Sequence, residues 1–139
     1  MVLGVQTLIG SDAATTSYNS VSRTVHYLGD VAPHPTVSIF ALNFPTTRAE
    51  ILDNFRAHLR TLPYSPNKKR VAVIDSIVSI PGAGLPWKEM TKICKEEGVW
   101  SVIDAAHSIG QEVDINLSEV EPDFWVSVSI LSWSSSEEI

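Results

Sequence analysis

Apolar positions along this chain recur with two periods, and each switch between them marks an element. Thr36-Val37-Ser38-Ile39-Phe40-Ala41-Leu42 alternates, then turns apolar, and is rich in strand formers. Thr47-Arg48-Ala49-Glu50 has the spacing of a capping box, in which two side chains satisfy backbone N–H groups that a first helical turn leaves open. The helix that follows places Ile51, Leu52, Phe55, Leu59 and Leu62 on one stripe, and Pro63 closes it. Val71-Ala72-Val73-Ile74 is a short apolar run bounded by charge, the pattern of a strand buried on both faces of a parallel sheet. Pro86 suits the first turn of a helix whose buried face is Trp87, Met90, Ile93 and Cys94, and Gly98 suits its C-terminal cap. Strands are predicted at Trp100–Ile103 and Phe124–Ser127.

The N-terminal signals are weaker. Val5–Ile9 fits a strand and Gly10–Ser17 a loop. Asn19 or Ser20 can cap a short helix with Val21, Val25 and Leu28 on one face and Gly29 as its stop. The order of strands and helices predicts an α/β domain with a mainly parallel sheet flanked by helices.

Composition narrows the functions. The 139 residues are 44% apolar, enough for one domain and one core. A net charge of -6 argues against nucleic acid, which needs clustered Lys and Arg. The one dense basic run, Lys68-Lys69-Arg70, reads as a solvated loop ahead of a strand. The single cysteine, Cys94, excludes a disulfide within the chain and reads as an inert core thiol, which fits a reducing, cytoplasmic location. No apolar run approaches the ~20 residues of a membrane helix, and the N-terminus lacks the positive region of a secretory signal. Neither a membrane nor a secreted setting is expected. His26, His34, His58 and His107 lack metal-ligand spacing, so no metal site is expected. Pro81-Gly82-Ala83-Gly84 lacks the third glycine of a dinucleotide loop, and Ser76 and Ser79 lack the glycine-flanked elbow of a hydrolase.

In open α/β sheets ligands bind at the carboxyl ends of the strands. Asp75 and Asp104 fall at such ends. Each is a candidate site residue, and each is equally a helix cap or loop anchor. An Asp75–Asp104 pocket for Mg²⁺ is a weak reading, because folds of that kind also use a lysine beyond the acids, and the last lysine here is Lys95.

The segment Asp104-Ala105-Ala106-His107 followed by Ser108-Ile109-Gly110-Gln111 weights Asp104 more heavily. With Asp75-Ser76-Ile77-Val78-Ser79-Ile80-Pro81-Gly82, Leu85-Pro86-Trp87 and Glu121-Pro122-Asp123-Phe124-Trp125 it resembles the class V aminotransferase group of fold type I enzymes dependent on pyridoxal 5'-phosphate (PLP). The branch it is most similar to is the isopenicillin-N-epimerase-like proteins of fungi. Tyr18-Asn19-Ser20 and Ser22-Arg23-Thr24 resemble the segment that approaches the coenzyme ring. The resemblance implies a partial large domain over residues 15–127, a poorly matched segment at 1–14 and a divergent, disordered tail at 128–139.

The resemblance also implies roles. Asp104 would pair with the pyridine nitrogen of PLP, and His107 would lie near the ring's phenolic oxygen. Ser79 would stand near the coenzyme, and Tyr18 would fall in the segment covering the ring face. The substrate would be an amino acid, as a small molecule, taken through transamination, desulfuration or epimerisation. The departures are equally specific. Relatives place a His-Lys pair after the Asp123-Phe124-Trp125-Val126-Ser127 equivalent, and the lysine holds PLP as a Schiff base. Here Val128-Ser129-Ile130-Leu131 follows. No convincing phosphate-gripping loop precedes Tyr18, and Thr15-Thr16-Ser17 stands where a ring-stacking residue is expected. No catalytic residue is therefore assigned, and the chain is expected to be inactive alone. The alternative is a non-catalytic α/β binding or interaction module derived from this fold. Apolar surface left uncovered by the absent small domain favours association, including a homo-oligomer.

Overall fold

The structure, a computed structural model, describes residues 5–12, 19–32 and 34–127. Tyr18, Thr15 to Ser17 and the tail at 128–139 lie outside the described residues. The elements run β1 (Val5–Asp12), α1 (Asn19–Asp30), β2 (Thr36–Ala41), α2 (Arg48–Thr61), β3 (Lys69–Asp75), α3 (Trp87–Glu96), β4 (Val99–Asp104), α4 (Leu117–Val120) and β5 (Phe124–Val126). The five strands lie in the order β2-β1-β3-β4-β5, and every pairing is parallel. This is the flanked parallel sheet that the alternating strand and helix patterns predict.

The capping box forms as its spacing requires. The Thr47 side chain accepts from the Glu50 N–H, and the Glu50 carboxylate accepts from the Thr47 N–H at 2.8 Å. The accepted hydrogen bonds, that from the Thr47 backbone foremost, hold the Glu50 carboxyl below its ordinary range. Ile51, Phe55 and Leu59 of α2 are buried against Ala72 and Ile74 of β3 and against Trp87, Met90, Ile93 and Cys94 of α3. Burial, with a further contribution from Asp123, pushes the Cys94 thiol up to about 12.

Arg70 is a cation buried within this packing, at 7% exposure. Its Nη1 donates to the Leu59 carbonyl at 3.1 Å, and its Nη2 donates to the Glu97 carbonyl. Leu59 lies in the last turn of α2, and Glu97 caps the C-terminus of α3. Those helix ends carry open carbonyls and the negative end of the helix dipole. One guanidinium at the start of β3 therefore satisfies both. Lys68-Lys69-Arg70 is thus not wholly a solvated loop: Lys69 and Arg70 begin β3, and Lys69 stacks on the Trp100 ring at 4.9 Å.

Other expectations shift. β1 continues through Gly10 to Asp12 instead of ending in a loop at Gly10, because those residues pair with Ile39, Phe40 and Ala41 of the neighbouring strand. Pro86 is the N-cap of α3 rather than a residue of its first turn, and its carbonyl accepts from Met90 at 2.9 Å. Leu28 is exposed although it shares a stripe with buried Val25. Gly98 does adopt the left-handed conformation (φ 65°) after the α3 cap. Gly29 does not stop α1, which runs on to Asp30. A Cβ at Gly29 would stand 2.7 Å from Cγ2 of Val37, so this glycine permits α1 to lie close on β2.

Two measurements test this packing. Gly29→Ala should destabilise the chain by ~1–3 kcal/mol in denaturant unfolding, because Val37 is branched at Cβ and has little room to yield. Cys94 should resist thiol reagents at neutral pH in the folded protein and react on unfolding, since a thiol titrating near 12 holds almost no thiolate there. Rapid labelling of native protein would contradict the burial described.

Candidate functional site

The site is built where β3, β4 and β5 end. Asp75 and Asp104 close β3 and β4 in register with one another. Pairing continues past the strands: the Ser76 N–H donates to the Asp104 carbonyl at 2.9 Å, and the Ala105 N–H donates to the Val126 carbonyl at 2.7 Å. The Ser127 hydroxyl donates to the Ala105 carbonyl at 3.2 Å. The fully buried hydroxyls of Ser76 and Ser108 hydrogen-bond to each other, joining the loop after β3 to the loop after β4.

The first loop folds back on itself. Leu85 N–H donates to the Ser76 carbonyl at 2.8 Å, Val78 N–H donates to Ala83 at 3.0 Å, and Ile77 and Gly84 form an antiparallel bridge. Gly82 turns the tip with φ 79°. The second loop coils tightly: Ser108 N–H donates to the Ala105 carbonyl at 3.0 Å, and the Gln111 and Glu112 N–H groups both reach the Ser108 carbonyl. Between the loops lies a cleft of about 480 Å³, walled by Val78, Ser79 and Gly84 on one side and His107, Gln111 and Glu112 on the other.

Two of the four residues assigned by resemblance, Ser79 and His107, thus share one cleft. Asp104 does not line it. It stands at the end of β4, half-buried, and its Oδ1 accepts the Ala106 N–H at 3.1 Å. The loop-anchor role and a ligand role are compatible, because Oδ2 makes no part of that turn. Tyr18 lies outside the described residues. Asp75 is buried at 5% exposure.

Sequence reasoning missed Glu112 altogether. Its Oε1 accepts the indole N–H of Trp87 at 2.9 Å, and Trp87 itself packs on Trp125 with ring centroids 5.0 Å apart. Its Oε2 is buried without a partner. The available signal was Trp87, since a tryptophan on a buried stripe needs an acceptor for its N–H. Which acceptor it takes depends on the fold.

The chain's five lysines are Lys68, Lys69, Lys88, Lys92 and Lys95. None is among the residues that line the cleft. Lys88 donates to the Asp114 carbonyl at 2.8 Å, and Lys95 donates to the Val120 carbonyl at 3.0 Å and pairs with Glu121.

No family model matches the chain. A putative L-cysteine desulfhydrase of Oryza sativa subsp. japonica is 41% identical over 113 residues, which are 80% of this chain and 23% of that protein. The cysteine desulfurase CsdA of Escherichia coli shares the fold with a TM-score of 0.64 at 14% identity, over 91% of this chain and 28% of that one. A serine palmitoyltransferase solved with PLP shares it with a TM-score of 0.53 at 23% identity, over 77% of this chain and 23% of that one. The chain spans about a quarter of the length of the curated relatives it matches. It is thus similar in sequence to L-cysteine desulfhydrase-like proteins, and its parallel sheet has the fold of a part of the PLP-dependent fold type I enzymes.

Proposed function

We propose that this chain carries the ring-binding side of a PLP site in a protein that acts on a small amino acid, with residues 15–127 as part of its large domain. One observation carries the reading. Asp104 ends an inner strand of a parallel sheet, and the loop it anchors delivers His107 into the same cleft as Ser79. The donor types support the ring of PLP as the ligand, with His107 and Ser79 on the cleft and Asp104 at the strand end outside its lining. Asp104 Oδ2 is available as the carboxylate for a pyridinium nitrogen, while Oδ1 stays on Ala106. His107 and Ser79 supply polar groups for the ring's rim. The set does not fit a covalent attachment, because no lysine of this chain reaches the cleft.

When bound, PLP supplies an electron sink for a substrate's α-carbon. The part of this chain is to hold and orient. Asp104 keeps a proton on the ring nitrogen, the Ala106 N–H fixes the carboxylate's rotamer, and the Ser76–Ser108 pair holds the two loops at a constant separation. Desulfuration of L-cysteine is the activity favoured within this reading, from the relatives' names. Association with a second copy and a cytoplasmic setting belong to the same reading, supported by the exposed Phe124 and Val126 at the sheet edge and by the single, buried cysteine. The placement of the lysines favours a second reading, in which the chain by itself is a non-catalytic binding module.

Titration of the purified chain with PLP, followed by absorbance, separates the two. Saturable binding is expected, and Asp104→Asn should weaken it about 10- to 100-fold, the equivalent of ~1.5–3 kcal/mol for a charged hydrogen bond. The asparagine retains an acceptor for Ala106, so the loop stays folded. Equal binding by both proteins would sink the ring-nitrogen role of Asp104. No binding by a chain that circular dichroism shows to be folded would leave the non-catalytic module.

A further inference from the structure

We propose that Glu112 and Gly84 make this cleft a receptor for a small ligand bearing a protonated amino group, with Glu112 taking the ammonium and Gly84 leaving it room. The inference rests on the reading above for the class of ligand, an amino acid, and adds the residues that would select it.

Glu112 is half spent. Oε1 holds the Trp87 indole N–H at 2.9 Å, which fixes the carboxylate against a fully buried ring. Oε2 is buried and has no partner. A buried acceptor without a donor is costly, and a carboxylate oxygen more so than a neutral one. The Lys88 ammonium lies 5.7 Å from the centroid of the same Trp87 ring. It donates to the Asp114 carbonyl. Among the described residues no ion pair reaches Glu112. A ligand ammonium offers N–H donors and the compensating charge together.

Gly84 faces the same cleft from the other loop. At Gly82 the positive φ demands glycine, and at Gly29 the packing demands it. Gly84 answers to neither: its φ is outside the left-handed region, and a Cβ there would meet nothing within 4 Å. The space that a side chain would take is left to the cleft. Around it, the amide of Gln111 and the hydroxyl of Ser79 are groups able to donate to the carboxylate of the same ligand.

The probes are L-cysteine, under reducing conditions and without PLP, and 3-mercaptopropionate, which keeps the thiol and the carboxylate but lacks the amine. Amide-resolved NMR on the full chain should show saturable binding of L-cysteine at the 76–85 and 105–112 loops. Binding of 3-mercaptopropionate should be about tenfold weaker or more, the scale of one charged hydrogen bond. Glu112→Gln retains an acceptor for Trp87 and turns the open position into an amide donor, so it should lose about tenfold in L-cysteine binding. Gly84→Ala should weaken L-cysteine binding while leaving the melting temperature unchanged or raised. Equal binding of the two probes, wild-type affinity in Glu112→Gln, or no saturable binding by the folded chain would each overturn the proposal. A parallel PLP titration keeps the readings apart. Asp104-dependent PLP binding with an indifferent Glu112→Gln would refute only the receptor. Glu112-dependent L-cysteine binding without any PLP binding would refute only the coenzyme site.

Discussion

Continued hydrogen bonding beyond the ends of β3, β4 and β5 is the constraint on which the rest of this molecule's site depends. In a parallel sheet the chain must leave every strand at the same edge, and the loops there have no partner strand to order them. Here the ladder does not stop at the strand ends. Ser76 reaches Asp104, Ala105 reaches Val126, and the buried Ser76 and Ser108 hydroxyls close the last gap. Two loops that would otherwise vary in separation are held apart by a set distance, and the cleft is the space between them.

The opposite end of the sheet is held by a different device. Arg70 enters the core at the start of β3 and gives its guanidinium to the C-termini of α2 and α3. Burying a cation is costly unless its donors are met. Here Nη1 and Nη2 are met by the Leu59 and Glu97 carbonyls at two helix ends, while Nε is buried without a partner. The ion pairs of Arg56 with Glu96 and of Arg60 with Glu97, at 2.5 and 2.8 Å, run along the solvent side of the same two helices. Exposed pairs of this kind set orientation more than stability. One helix pair is thereby fixed on one face of the sheet, with most of the buried core beneath it. The other face has α1 and a much smaller cluster around Val25 and Val71, with Val73, Trp100 and Val102 only partly covered.

This asymmetry bears on function. The larger core supports the strands that carry Asp75 and Asp104, and Trp87 extends it to the wall of the cleft through Glu112. A site residue is useful when its rotamer is locked by its surroundings. One oxygen of Asp104 is held by the Ala106 N–H and one oxygen of Glu112 by the Trp87 indole.

Much of this was legible in the sequence, because local physics decides it. The Thr47 to Glu50 box, the Ile51–Phe55–Leu59 stripe, the Val71–Ile74 strand and the left-handed Gly98 each follow from neighbours within a turn or a strand pair. The assignment of Asp104, His107 and Ser79 came from resemblance and not from local physics; Ser79 and His107 line one cleft, and Asp104 stands outside its lining. What the sequence could not determine are relations between residues far apart along the chain. Gly29 looked like a helix stop because nothing local reveals Val37 beneath it. Arg70 looked solvated because the carbonyls that receive it belong to two distant helices. Glu112 carried no motif, and its indole partner lies 25 residues away. Only the tertiary structure brings such groups together, since burial and hydrogen-bond completion are settled when separate elements pack and not when each one forms.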